Sequence, residues 1–196
     1  MKSKKQVCAL SAAILMGFGC AAEETAPTAK ITVEPDQIMV VCYSWGGNTR
    51  VVADKIVQIT GGTFFEIKPV KAYPTSYREC VDQAKVEINA GFRPELAAQA
   101  DLSKFSVIFV GSPNWYGTMA PPVATFLTTN DLKGKTIIPF FTHGGGGMQN
   151  CERDIKKLCS GAAVLPAVTY SGASVRRDNT QQLIAEWVAS LLTVKK

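Results

Sequence analysis

The sequence has a single histidine, His143, and no CxxC pair or Cys/His cluster at metal-ligand spacing, which excludes the common structural zinc sites and a CxxC redox motif. Nor does it contain an apolar stretch approaching the roughly 20 residues that a membrane-crossing helix requires. Charge of one sign is also scarce. The net charge is +5, but Lys2, Lys4 and Lys5 fall in the first five residues and only +2 remains without them, too little to argue for a nucleic-acid partner. What remains is ordinary: 46% hydrophobic and 19% charged residues in 196 suit one soluble globular domain and argue against disorder or a fibre.

The N-terminus has the form of an export signal. A lysine-rich start is followed by a twelve-residue, largely apolar run at positions 7–18 and then by small residues around Gly19, Cys20, Ala21 and Ala22. Cys20 after a small residue resembles a bacterial lipoprotein acylation site, although Gly17 stands where such sites usually carry leucine; the same residues also offer the small-x-small pattern of ordinary cleavage. Residues 21–36, rich in Ala, Glu, Thr and Pro, have the composition of a tether. The expected organisation is therefore a signal peptide at 1–20, a flexible tether at 21–36 and one domain at 37–196. The expected location is outside the cytoplasm of a bacterium, periplasmic or as a membrane-anchored lipoprotein. Contact with the membrane is expected only through an N-terminal lipid anchor.

Within the domain, apolar runs at 38–43, 63–69, 106–111, 135–141 and 162–170 read as buried strands. Helical patterns at 48–59, 74–89, 120–128, 149–158 and 179–192 alternate with them, predicting βαβ units and a parallel sheet covered on both faces. Four cysteines belong to this domain: Cys42, Cys80, Cys151 and Cys159. Cys42 falls in a central strand, and Cys151 and Cys159 lie eight residues apart on one helix, roughly 12 Å by helical rise, beyond disulfide reach. Free, buried thiols are the expectation.

Three strand ends carry unusual loops. The first is Ser44, Trp45, Gly46, Gly47, Asn48 and Thr49, leading into a helix whose opening amides and partial positive charge suit an anion. The two glycines allow close approach, and Ser44, Asn48 and Thr49 add polar groups for a phosphate. The second is Pro113, Asn114, Trp115, Tyr116 and Gly117, where the aromatics either stack on a flat ring or close the sheet edge as packing residues. The third is Thr142, His143 and the glycines Gly144, Gly145, Gly146 and Gly147, either a bare-backbone cradle for a heterocycle or a flexible connection. His143 fits a hydrogen-bond donor to such a ring, or an ordinary surface residue. Strand C-termini share one edge of an open parallel sheet, so these loops can meet on one molecule.

Other phosphate-binding patterns are absent. There is no GxxxxGK[ST], and Gly46-Gly47 lacks the GxGxxG spacing. Arg50 stands eight residues after Cys42 rather than the six of a small tyrosine phosphatase, and Gly111-Ser112-Pro113 supplies no aspartate for a receiver domain. No catalytic acid, base or nucleophile stands out, and no metal ligand set does.

The segments Val40 to Thr49, Gly111 to Gly117 and Pro139 to Gly145, with Tyr73-Pro74 through Ala84-Lys85 to Arg93-Pro94-Glu95-Leu96, resemble the flavodoxin family, in particular its short bacterial branch. The resemblance implies an α/β, three-layer flavodoxin-like fold with a five-stranded parallel sheet in the order 2-1-3-4-5 and helices on both faces. It also implies non-covalent FMN, its phosphate on the first loop and its ring between the second and third. Gly46 departs from the family pattern, which has Ser or Thr there; one lost hydroxyl donor weakens phosphate binding by about 0.5–1.5 kcal/mol.

Three function classes follow: an FMN electron carrier, an FMN-dependent NAD(P)H reductase of quinones or flavins, and a flavin-free binding domain on the same fold. The carrier is favoured, because export separates the protein from nicotinamide pools and points to a redox partner protein or a membrane reductase. The three loops hold no Asp or Glu, and His143 and Arg50 are expected nearby, which predicts a milder potential than acid-ringed flavins have.

Overall fold

A computed structural model describes residues 30–195. The export segment and most of the expected tether lie outside the described residues.

The sheet is built around β2 (Ile38–Cys42), all five of whose residues are buried. It pairs in parallel with β3 (Thr63–Glu66) on one side and β4 (Val107–Trp115) on the other. β4 pairs in parallel with β6 (Thr136–His143), and β6 with β7 (Ala163–Val164) and β8 (Val168–Ser171). The order β3-β2-β4-β6-β7 is the expected 2-1-3-4-5, with β7 and β8 as two halves of the fifth strand. The break falls at Pro166, which has no amide to donate to the ladder. The Ala167 amide beyond it donates instead to Glu152 Oε2 at 3.1 Å.

Side chains alternate between the two faces of each strand, and each face has its own core. Val40, Phe109, Ile138 and Phe140 pack beneath α1 (Asn48–Thr60) and α5 (Thr180–Leu191), through Val52, Ile56, Ile184 and Val188. Val41, Ile108, Val110, Ile137 and Phe141 pack beneath α2 (Tyr77–Ala90), α3 (Pro121–Thr129) and α4 (Cys151–Leu158). Pro121 and Pro122 open α3 in the first turn, where a missing amide costs little. Cys42, Cys80, Cys151 and Cys159 are all free and buried, as expected.

Regular structure is present before the expected boundary at Gln37. β1 (Ile31–Val33) lies parallel to β9 (Leu192–Val194), and Val33 is buried in the α1/α5 core. Glu34 pairs with Lys195 at 2.9 Å. A chain starting at Gln37 loses this pairing and one buried valine, so it is expected to be less stable by about 2 kcal/mol than one starting at Lys30. In thermal melts that is a Tm lower by about 4–8 °C; equal melting temperatures would show that β1 contributes nothing.

Candidate functional site

Because β2, β4 and β6 are parallel neighbours, the loops at their C-terminal ends open on the same edge. After β2 the chain turns at Gly47, whose φ of 82° is a left-handed conformation that glycine adopts without strain, and α1 starts at the next residue. The amides of Gly46, Gly47, Asn48 and Thr49 have no hydrogen-bond partner among the described residues. The Arg50 amide donates to Ser44 Oγ at 3.2 Å, which leaves the Ser44 hydroxyl proton free to point outward. With no acidic residue in the first turn of α1, this end is suited to an anion.

β4 runs four residues past its expected end, as far as Trp115, and reverses through Tyr116 (φ 50°) and Gly117 (φ 84°) into β5 (Thr118–Met119). Two consecutive positive φ values are the type I′ hairpin geometry, costly for an aromatic residue at the first position. Tyr116 is held there by its hydroxyl, which donates to the Val81 carbonyl on α2 at 3.1 Å. Trp115 is both wall and core: it meets Tyr43 and Tyr73 edge to face, at centroid separations of 5.6 and 5.0 Å.

The Asn114 side chain joins the second and third loops. Its Nδ2 donates to the Gly147 carbonyl at 2.7 Å, and its Oδ1 accepts the Gly117 amide at 2.9 Å. In the third loop the Gly145 amide donates to His143 Nδ1 at 3.0 Å. Nδ1 is therefore the acceptor of that ring, and Nε2 is its donor. Beneath the loops, Thr49 and Thr142 share a buried hydroxyl contact of 2.8 Å that fixes the first loop to the third.

Together they enclose a cavity of about 480 Å³. Ser44, Trp45, Gly46, Asn48 and Thr49 line it from the first loop, Pro113, Asn114, Trp115 and Tyr116 from the second, and Thr142, His143 and Gly144 from the third. Gly47, Gly117, Gly145 and Gly146 do not line it; they shape the turns that do. The sequence reading missed one wall, the α2 face of Tyr77, Cys80, Val81 and Ala84, and also Gly172 and Ala173 after β8. Burial pushes the Cys80 thiol up to about 11, so it faces the cavity as a neutral, unreactive group.

Arg50 does not approach the cavity, contrary to expectation. Its guanidinium bonds Asp54 at 2.6 Å, comes within 3.7 Å of Glu66, and lies 4.0 Å from the Phe64 ring centre. The geometry is that of an outward-facing i,i+4 helix pair. Among the described residues, no Asp or Glu lines the cavity.

The fold has relatives. The family model for flavodoxins matches residues 37–191. A Bacteroides uniformis protein assigned as a flavoprotein is 25% identical with a TM-score of 0.70, covering 80% of this chain and 99% of that one. Another from Bacteroides eggerthii is 26% identical with a TM-score of 0.68, covering 79% and 97%. A Lactobacillus acidophilus flavoprotein, solved in complex with FMN, shares the fold at 24% identity and a TM-score of 0.61, covering 68% of this chain and 93% of that one. Among curated proteins none matches.

Proposed function

The chain belongs to the flavodoxin family, and from that premise we propose that its cavity holds FMN non-covalently and that the loaded protein transfers electrons to or from a redox partner. The observation that carries this reading is the convergence of three loops with complementary chemistry. One end offers unpartnered amides and the Ser44 hydroxyl for a phosphate. The second and third loops line the same cavity with Trp115, Tyr116 and the bare backbone of Gly144.

Bound FMN would supply the redox chemistry through its ring. The protein binds, orients and tunes. Gly46 to Thr49 fix the phosphate end through backbone N–H groups. His143, held by the Gly145 amide on Nδ1, presents Nε2–H as a fixed donor to the ring edge. Trp115 is set by Tyr43 and Tyr73, so its orientation needs no ordering when the ring enters. Among the described residues no carboxylate lines the cavity, so a flavin bound there would meet little repulsion from the lining when reduced and would have a comparatively mild potential. In the same reading the N-terminal segment exports the protein, Cys20 carries a lipid, and a membrane reductase is the electron donor.

The test is titration of the purified full chain with FMN, followed by quenching of flavin fluorescence. Saturable one-to-one uptake is expected, giving a yellow protein. Folded protein that takes up no FMN rejects the reading. Rapid bleaching by NAD(P)H alone would replace the carrier with a reductase.

A further inference from the structure

Between β8 and α5 the chain makes a turn, residues 172–179, that reaches the first loop from the far end of the sequence. The turn is rigidly seated. Val175 is fully buried in the α1/α5 core, the Ser174 amide donates to the Ser171 carbonyl at 2.9 Å, and Thr180 Oγ1 donates to the Ser174 carbonyl at 2.7 Å. Gly172 packs so closely on the Asn48 side chain that a Cβ there would collide with Nδ2.

This anchoring brings Arg176, which does not itself line the cavity, against the first loop. Its Nη1 donates to Asn48 Oδ1, and a Cβ added to Gly47 would come within 3.4 Å of its Nη2. The guanidinium thus lies beside Gly47 and Asn48, two of the four first-loop residues whose amides have no partner among the described residues. It has no carboxylate partner among the described residues, whereas Arg50 is paired with Asp54 and lies within 3.7 Å of Glu66.

We propose that Arg176 is the charged clamp of this site, contacting the ligand's phosphate and making the cavity select a flavin phosphomonoester over the same flavin without phosphate. The inference rests on the FMN reading above and deepens it. A guanidinium bound to Asn48 through one nitrogen keeps further N–H groups in a planar fork that suits phosphate oxygens. It also offsets the hydroxyl that Gly46 lacks, with a formal charge in place of a neutral donor.

The experiment compares FMN and riboflavin affinity by fluorescence quenching, for the full chain and for Arg176→Gln and Arg176→Lys. The wild type should prefer FMN, and rising salt should erode that preference because exposed charges are screened. Arg176→Gln should weaken FMN binding about tenfold, in line with one charge-assisted bond, leave riboflavin affinity unchanged and remove the salt dependence. Arg176→Lys should recover part of the loss. Equal weakening of both flavins would make Arg176 a structural residue and overturn the inference, as would unchanged FMN binding in Arg176→Gln. A folded wild type that binds neither flavin sinks the FMN reading itself, and this inference with it.

Discussion

Gly111→Ala lowers the stability of the domain by about 3 kcal/mol, the upper end of the range for overpacking a core, with a Tm fall of about 6–12 °C. Gly111 lies in β4 between β2 and β6, and a Cβ there would come 2.5 Å from Phe140 Cε2 and 2.8 Å from Cys42 Cβ. Neither neighbour can yield: both are fully buried, on central strands. Ser112 and Pro113 follow at once, so the displaced strand also moves the second loop, and FMN affinity should fall together with stability. Pairing the change with Phe140→Leu restores part of the lost stability, because the shorter side chain vacates the space the new methyl needs. Additive losses in the double variant would mean that the strain is not relieved at Phe140.

The same glycine shows what could be read from the letters and what could not. Continuous apolar runs such as Ile38–Cys42 mark strands buried on both faces, and the helices between them carry periodic apolar positions, so the layers follow from pattern, whereas the sheet order 2-1-3-4-5 came only with the resemblance to flavodoxins. The three loops were visible because glycine and aromatic residues sat at predicted strand ends. What escaped depends on contacts between distant segments. β1 is three residues long, too short to show a period, and is a strand only because β9 lies beside it. Arg176 sits in a polar stretch with no pattern and meets Asn48 across 128 positions. Arg50, adjacent to the first loop in sequence, points away because Asp54 one helical turn on draws it outward. The α2 wall had a partial signal, since Tyr77, Cys80, Val81 and Ala84 share a helix face, but nothing local says that this face looks into a cavity.

The domain should unfold reversibly in reducing alkaline solution between about pH 10 and 11, a loss of stability that begins above pH 9, before lysine or arginine gives up its proton. Burial pushes the thiols of Cys42 and Cys151 up from 9.0 to about 12, and that of Cys159 to about 11. Burial raises Cys80 to about 11 and Tyr170 to about 12, and raises Tyr43 and Tyr73 as well, so they act in the same direction. A folded-state value above the unfolded one means that the unfolded chain releases its proton first. The stability held by these groups is whole below pH 9 and is lost as pH climbs towards their folded values. Each such thiol costs about 1.4 kcal/mol per pH unit above 9, so by pH 10.5 Cys42, Cys151 and Cys159 together remove about 4–6 kcal/mol, enough to exhaust the low end of the usual 5–15 kcal/mol. Urea denaturation at a series of pH values measures the slope directly. Cys42→Ala should start somewhat less stable at pH 7 yet lose stability more gently above pH 9, since one titrating group has gone. A stability that stays level from pH 8 to 10.5 would contradict the burial of these thiols, and with it the packing of β2 and α4 against the rest of the sheet.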